Sequence, residues 1–138
     1  MKYLVLLCRI LLGVMFVVFG LNGLHPFFKF SQVLSPDAVT WFTIMSAHGY
    51  MTIVYICEVL GGALVLIGGA VPLGLIILCP VTVNIILFHM LLNGSVGVIP
   101  GVAAATFELV LIYYYRPFLS GICNIGARPM LTREKPVV

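Results

Sequence analysis

Four apolar blocks, each long enough to cross a lipid bilayer, dominate the sequence: residues 3–24, 47–70, 72–93 and 98–119. A hydrocarbon core about 30 Å thick takes roughly 20 helical residues to span. In lipid, a single segment satisfies its own backbone hydrogen bonds only as an α-helix. The apolar residues come as continuous blocks, without the alternation of a half-buried strand. The expected fold is therefore all-α: a transmembrane four-helix bundle in one domain over residues 1–119, followed by a tail at 120–138. Of the 138 residues, 62% are hydrophobic and 8% are charged. About a quarter would be charged in a soluble domain, so a soluble fold is excluded.

The only sizeable connection lies between the first two spans, at residues 25–46. It holds Pro26, Lys29, Gln32, Pro36, Asp37, Trp41 and several phenylalanines. That mixture suits a short helix lying at the interface with its aromatic rings at headgroup depth, capping the bundle without crossing it. Basic residues set the orientation. Lys2 and Arg9 flank the start, and Arg116, Arg128, Arg133 and Lys135 cluster at the end, while the turns near Pro72 and Gly94 carry none. By the positive-inside bias both termini are expected in the cytoplasm. The net charge of +3 is thus a topology signal and does not point to nucleic acid. Tyr113, Tyr114 and Tyr115 beside Arg116 read as an aromatic belt at the cytoplasmic edge. The opening MKYLVLLCRILLG has a very short basic region and no small-residue cleavage site, so it is expected to remain as the first span.

The four cysteines, Cys8, Cys57, Cys79 and Cys123, include no C-x-x-C pair. A thiol–disulfide exchange enzyme needs a close pair, which disfavours that class. The three histidines share no ligand spacing with a cysteine or carboxylate, and no metal site is expected.

Ionisable and amide side chains inside spans are costly, so each is a functional candidate by default. With a rise of about 1.5 Å per residue, Glu58 and Asn84 lie about 18 Å from the cytoplasmic ends of their spans, and Glu108 about 16 Å. Three helices thus place a polar group near mid-membrane. Arg9 is shallower, about 9 Å in, and its long side chain brings a pair with Glu58 or Glu108 within reach. Arg9, Glu58, Asn84 and Glu108 form the expected polar layer, a ligand or proton site or a staple between helices. Asn22 and His89 fall in a second layer toward the other face. On helix geometry His89 is about 140° round from Asn84, so the two are not expected to share a pocket. Glycines mark the packing faces. Gly13 and Gly20 follow Arg9 at offsets of four and eleven, and Gly62 and Gly69 follow Glu58 in the same way. The first two spans are therefore expected to meet through these stripes.

RILLGVMFVVFGLNGL, EVLGGALVLIGGAVPLGLIILCPVTVNIILFH and a fourth-span glutamate followed by YYYRP together resemble the DoxX family of small four-span bacterial membrane proteins, over most of residues 9–118. The positions that match its pattern are Arg9, Gly13, Gly20, Asn22, Glu58, Gly61, Gly62, Pro80, Asn84, His89 and Glu108. The resemblance implies a multi-pass protein of the bacterial cytoplasmic membrane, associated with quinone-linked or thiol and sulfur redox metabolism. Glu58, Glu108, Asn84 and His89 offer the donors and proton-exchanging groups that a quinone head group needs. No flavin, haem or iron–sulfur motif is present and no covalently bound cofactor is expected, so electrons would come from a partner. The alternative is a non-catalytic accessory or scaffold subunit of a larger membrane complex. Expected partners are lipid, and other membrane subunits or further copies of the chain. Proton or solute transport is the least favoured class, because the spans carry no discontinuous-helix signal.

Overall fold

A computed structural model describes residues 2–28, 34–93 and 97–122, the last by its backbone. The described residues form helices α1 (Lys2–Leu24), α2 (Pro36–Ala47), α3 (Tyr50–Ile67), α4 (Val71–Leu87) and α5 (Val98–Ile122). Six residues after α4, Phe88–Asn93, wind as a π-helix and complete its span. Helices α1, α3, α4 with its π-helical end, and α5 are long and apolar enough to cross a membrane. The protein is an all-α, multi-pass membrane bundle, as expected. Much of its apolar surface points outward: Ile67, Leu109 and Phe118 are more than half exposed, and in a membrane that surface meets lipid.

The shorter α2 is a helix in the connection where a short one was expected, and its start is written locally. Ser35 caps it, its hydroxyl accepting from the Ala38 amide at 3.1 Å. Pro36 supplies a preset φ at the first turn, and Asp37 complements the helix dipole. The second span is shorter than expected. Gly49, at φ 74°, and Gly68, at φ 86°, bound α3 in left-handed conformations that glycine adopts most readily. α5 runs three residues beyond its expected end, through Pro117, to Ile122. The remainder of the expected tail, including Cys123, Arg128, Arg133 and Lys135, lies outside the described residues, as does Lys29.

α1 and α3 run antiparallel through the expected seam. A Cβ on Gly13 would stand 2.8 Å from Leu66 Cβ and 2.9 Å from the Gly62 carbonyl oxygen, and one on Gly20 would stand 2.8 Å from the Tyr55 oxygen. The backbones touch because no side chain holds them apart. Gly69 is a correction: a Cβ there would meet nothing within 4 Å. α3 has already ended at Gly68, so Gly69 belongs to the turn, and the periodicity that placed it on the seam no longer applies. Gly61 and Gly74 close the α3–α4 seam in its place: a Cβ on Gly61 would stand 2.7 Å from Leu78, and one on Gly74 2.8 Å from the Gly61 carbonyl oxygen. Leu12 and Phe16 of α1, Val65 of α3, Leu75 and Leu78 of α4 and Leu111 of α5 are almost completely buried. They fill the half of the bundle nearer the chain termini.

Candidate functional site

The other half is hollow. A cavity of about 440 Å³ lies between the spans, within the size range of small-molecule sites. α1 contributes Met15, Phe16, Phe19 and Asn22 to its wall; α3 contributes Met51, Val54, Tyr55 and Glu58. From α4 and its π-helical end come Val81, Asn84, Ile85, Phe88 and His89, and from α5 Pro100, Gly101 and Ala104. Trp41 and Phe42 of α2 close the end away from the termini. The lining is thioether, aromatic and aliphatic, with four polar groups set into it: Asn22, Glu58, Asn84 and His89.

The two expected polar layers thus open into one space, and Asn84 and His89 do share a pocket, contrary to the expectation from their angular separation. The separation itself is not at fault. Val81, Asn84, Ile85, Phe88 and His89 occupy successive positions of one broad helix face, with Asn84 and His89 at its edges. The cavity embraces the whole arc, and the helix widens into π-turns where His89 sits.

Glu58 lies at the cavity floor, 6% exposed, on the α3 face that meets Gly20. It makes no hydrogen bond or ion pair with any described residue. A carboxyl group taken out of water without a partner is costly, and Glu58 lines the cavity. Asn22 is partly committed: its Oδ1 accepts from the amides of Phe27 at 3.0 Å and Phe28 at 2.7 Å, which turns the chain at the end of α1. His89 packs on Gly97, where a Cβ would come within 2.6 Å of the ring. Its Nδ1 stands 3.4 Å from Asn93 Nδ2. Asn93 also holds the roof: its Oδ1 accepts from the Ser35 amide at 3.0 Å, while the Ser35 hydroxyl donates to the Leu92 carbonyl. Trp41 stacks on Phe88 with centroids 5.0 Å apart, so α2 is latched to the π-helical end of α4 by two hydrogen bonds and a ring contact.

Glu108 and Arg9, the other members of the expected layer, are outside this cavity. Glu108 is 4% exposed and accepts a 2.7 Å hydrogen bond from the Thr82 hydroxyl, with Cys79 on the same side of α4 nearby. It joins α4 to α5 at nearly the level of Glu58 but faces a different neighbour. Arg9 pairs with neither carboxylate. Its guanidinium lies over Gly68, where a Cβ would come within 2.6 Å of Nη1. It sits at the C-terminal end of α3, where the helix dipole favours a cation. The side chain runs toward the interface, as arginine stems do, and Nε is left buried without a partner.

Among the described residues no three histidine, cysteine, aspartate or glutamate side chains converge on a point. Trp41 was expected in a helix capping the bundle, but its place in the cavity wall beside Phe42, and the roles of Tyr55 and of Gly97 under His89, were not singled out from the sequence. An aromatic pair in an interfacial helix and a glycine beside a span carry no local mark of facing a cavity. The DoxX family model matches residues 4–91, the stretch holding α1 to α4 and three of the cavity's four polar groups in α1, α3 and α4, together with His89. Comparison with curated proteins and with solved structures finds no match.

Proposed function

Because this chain belongs to the DoxX family, we propose that it is the ligand-holding membrane component of a redox system in the bacterial cytoplasmic membrane, with both termini cytoplasmic and a quinone head group as the cavity's ligand. The observation that carries this reading is the buried Glu58 carboxyl group, unpartnered among the described residues and facing a 440 Å³ apolar cavity. A quinone requires a flat apolar slot with hydrogen-bonding groups at its two carbonyl oxygens. Trp41, Phe42, Phe16 and Phe88 supply the slot, and the polar groups lie near the floor, at Glu58 and Asn84, and near the roof, at Asn22 and His89. Such a head group supplies electron and proton carriage between partners.

The chain's own residues do the rest. Asn84 donates an amide hydrogen bond at one carbonyl, Glu58 holds or releases a proton beside it, and the aromatic walls exclude water. Electrons come from a partner subunit, because the residues lining the cavity are not redox carriers. Glu108 is assigned no part: its carboxyl group is already bonded to Thr82.

Purified protein in lipid nanodiscs is expected to bind a quinone, and Glu58→Gln to weaken binding by about tenfold, the loss of one hydrogen bond to an ionisable group. Glu108→Gln should leave binding unchanged. No binding by the wild type, or equal effects of the two variants, would reject the reading in favour of an accessory subunit stapled by its polar groups.

A further inference from the structure

The two seams of α3 differ along their length. Against α1, glycines bring the backbones together at Gly13 and Gly20, and at Gly23 the Tyr55 ring lies against the helix, where a Cβ would strike it at 2.4 Å. Against α4, the close approach is confined to Gly61 and Gly74 near the turn. Beyond it lies a groove of about 200 Å³. Pro80 lines it, a residue that leaves the Ile76 carbonyl without its helical donor and loosens the helix there. Tyr50, Ile53 and Cys57 line the α3 side. Ile53 is 63% exposed and Tyr50 is 45% exposed, so the groove faces the lipid. Val54, Val81 and Asn84 line both the groove and the cavity. These three side chains are shared between the lipid-facing groove and the cavity that holds the polar floor.

The two water-facing ends are built differently from the groove. Among the described residues, Trp41 and Phe42 of α2 line one end, and the packed layer from Leu12 to Leu78 fills the other. We propose that the α3–α4 groove is the lateral entrance of the cavity, and that it holds the hydrocarbon chain of a membrane-dissolved quinone whose head group lies at Asn84 and Glu58. This rests on the ligand reading above and adds where the ligand enters and which class of quinone, chain-bearing and lipid-borne, the site selects. A chain in the groove continues the apolar path out to lipid, whereas a chain kept inside would have to fold within 440 Å³ already occupied by the head group.

Cys57 reports on the groove without any substitution. The wild-type protein in nanodiscs is treated with a lipid-soluble maleimide, and labelling of Cys57 is read by peptide mass spectrometry. The probes are an isoprenoid quinone and its chainless head-group analogue, each with binding measured in the same sample. The expected result is that both bind and only the isoprenoid quinone abolishes labelling of Cys57. Binding of the isoprenoid quinone with Cys57 labelled at the ligand-free rate, or equal protection by the chainless analogue, overturns the entrance alone. Binding of neither overturns the ligand reading and the entrance together. Ile53→Trp, on the lipid face, provides a second arm: it should slow association of the isoprenoid quinone and leave the analogue's rate unchanged, and equal rates for the isoprenoid quinone would count against the entrance.

Discussion

Near the termini, Leu12, Val65, Leu75 and Leu78 fill the space between the helices; toward the other end, the same spans stand around 440 Å³ of open volume. The chemistry of the two halves differs as much as their packing. In the filled half, Arg9 runs out to the α3–α4 turn, and where the two halves meet, Glu108 is tied to Thr82 and lies outside the cavity. In the hollow half, Glu58, Asn84, Asn22 and His89 face inward. Interior packing normally leaves few voids larger than a water molecule. A void lined by four polar side chains is thus a feature of the fold's use, and the filled half is the support that holds it open.

The contrast is open to attack by mutation, and the largest effect is expected in the filled half. Gly13→Leu drives a side chain into the Leu66 Cβ and the Gly62 carbonyl, atoms at or next to the backbone that have little room to yield. The expected loss is at least about 3 kcal/mol, seen as loss of a monodisperse bundle in size-exclusion chromatography. Ala104→Leu is its counterpart in the hollow half, at a residue that is 1% exposed and lines the cavity. The added atoms enter open volume, so thermal stability should hold while quinone binding falls. If both variants unfold, the two halves are equally packed and the cavity is not available to a ligand.

Smaller effects sharpen the picture. Ser35→Ala removes both the cap of α2 and its latch to Leu92. It should cost about 1 kcal/mol and increase the mobility of Trp41, measured by fluorescence anisotropy of the protein's single tryptophan. Thr82→Val removes the hydroxyl bonded to Glu108 and should cost about 0.6 kcal/mol, the usual value of an interhelical polar contact in a membrane, with ligand binding unchanged. A large drop in binding from Thr82→Val would place Glu108 in the site after all.

The sequence marks the filled half better than the hollow one. Span positions follow from hydropathy, and Gly13, Gly20 and Gly62 announce a close seam because small residues at helical spacing have one evident use. Gly69 fails the same logic because Gly68 ends the helix one residue earlier. A cavity is the absence of side-chain volume, and no residue type records it. Asn84 and His89 were legible as polar positions, yet whether 140° of arc belongs to one pocket depends on how far the neighbouring helices stand back. Arg9 reads as a partner for a buried carboxylate by reach alone, and the geometry of the α3–α4 turn sends it the other way.

The most direct test of the hollow half as a ligand site is photolabelling with an azido-quinone in nanodiscs, with the attachment sites mapped by mass spectrometry. Adducts are expected on cavity-lining residues within 41–42, 51–58 and 81–89, lost in Glu58→Gln and retained in Glu108→Gln. Adducts confined to lipid-facing positions such as Leu109, Tyr113 and Phe118, indifferent to Glu58, would contradict it.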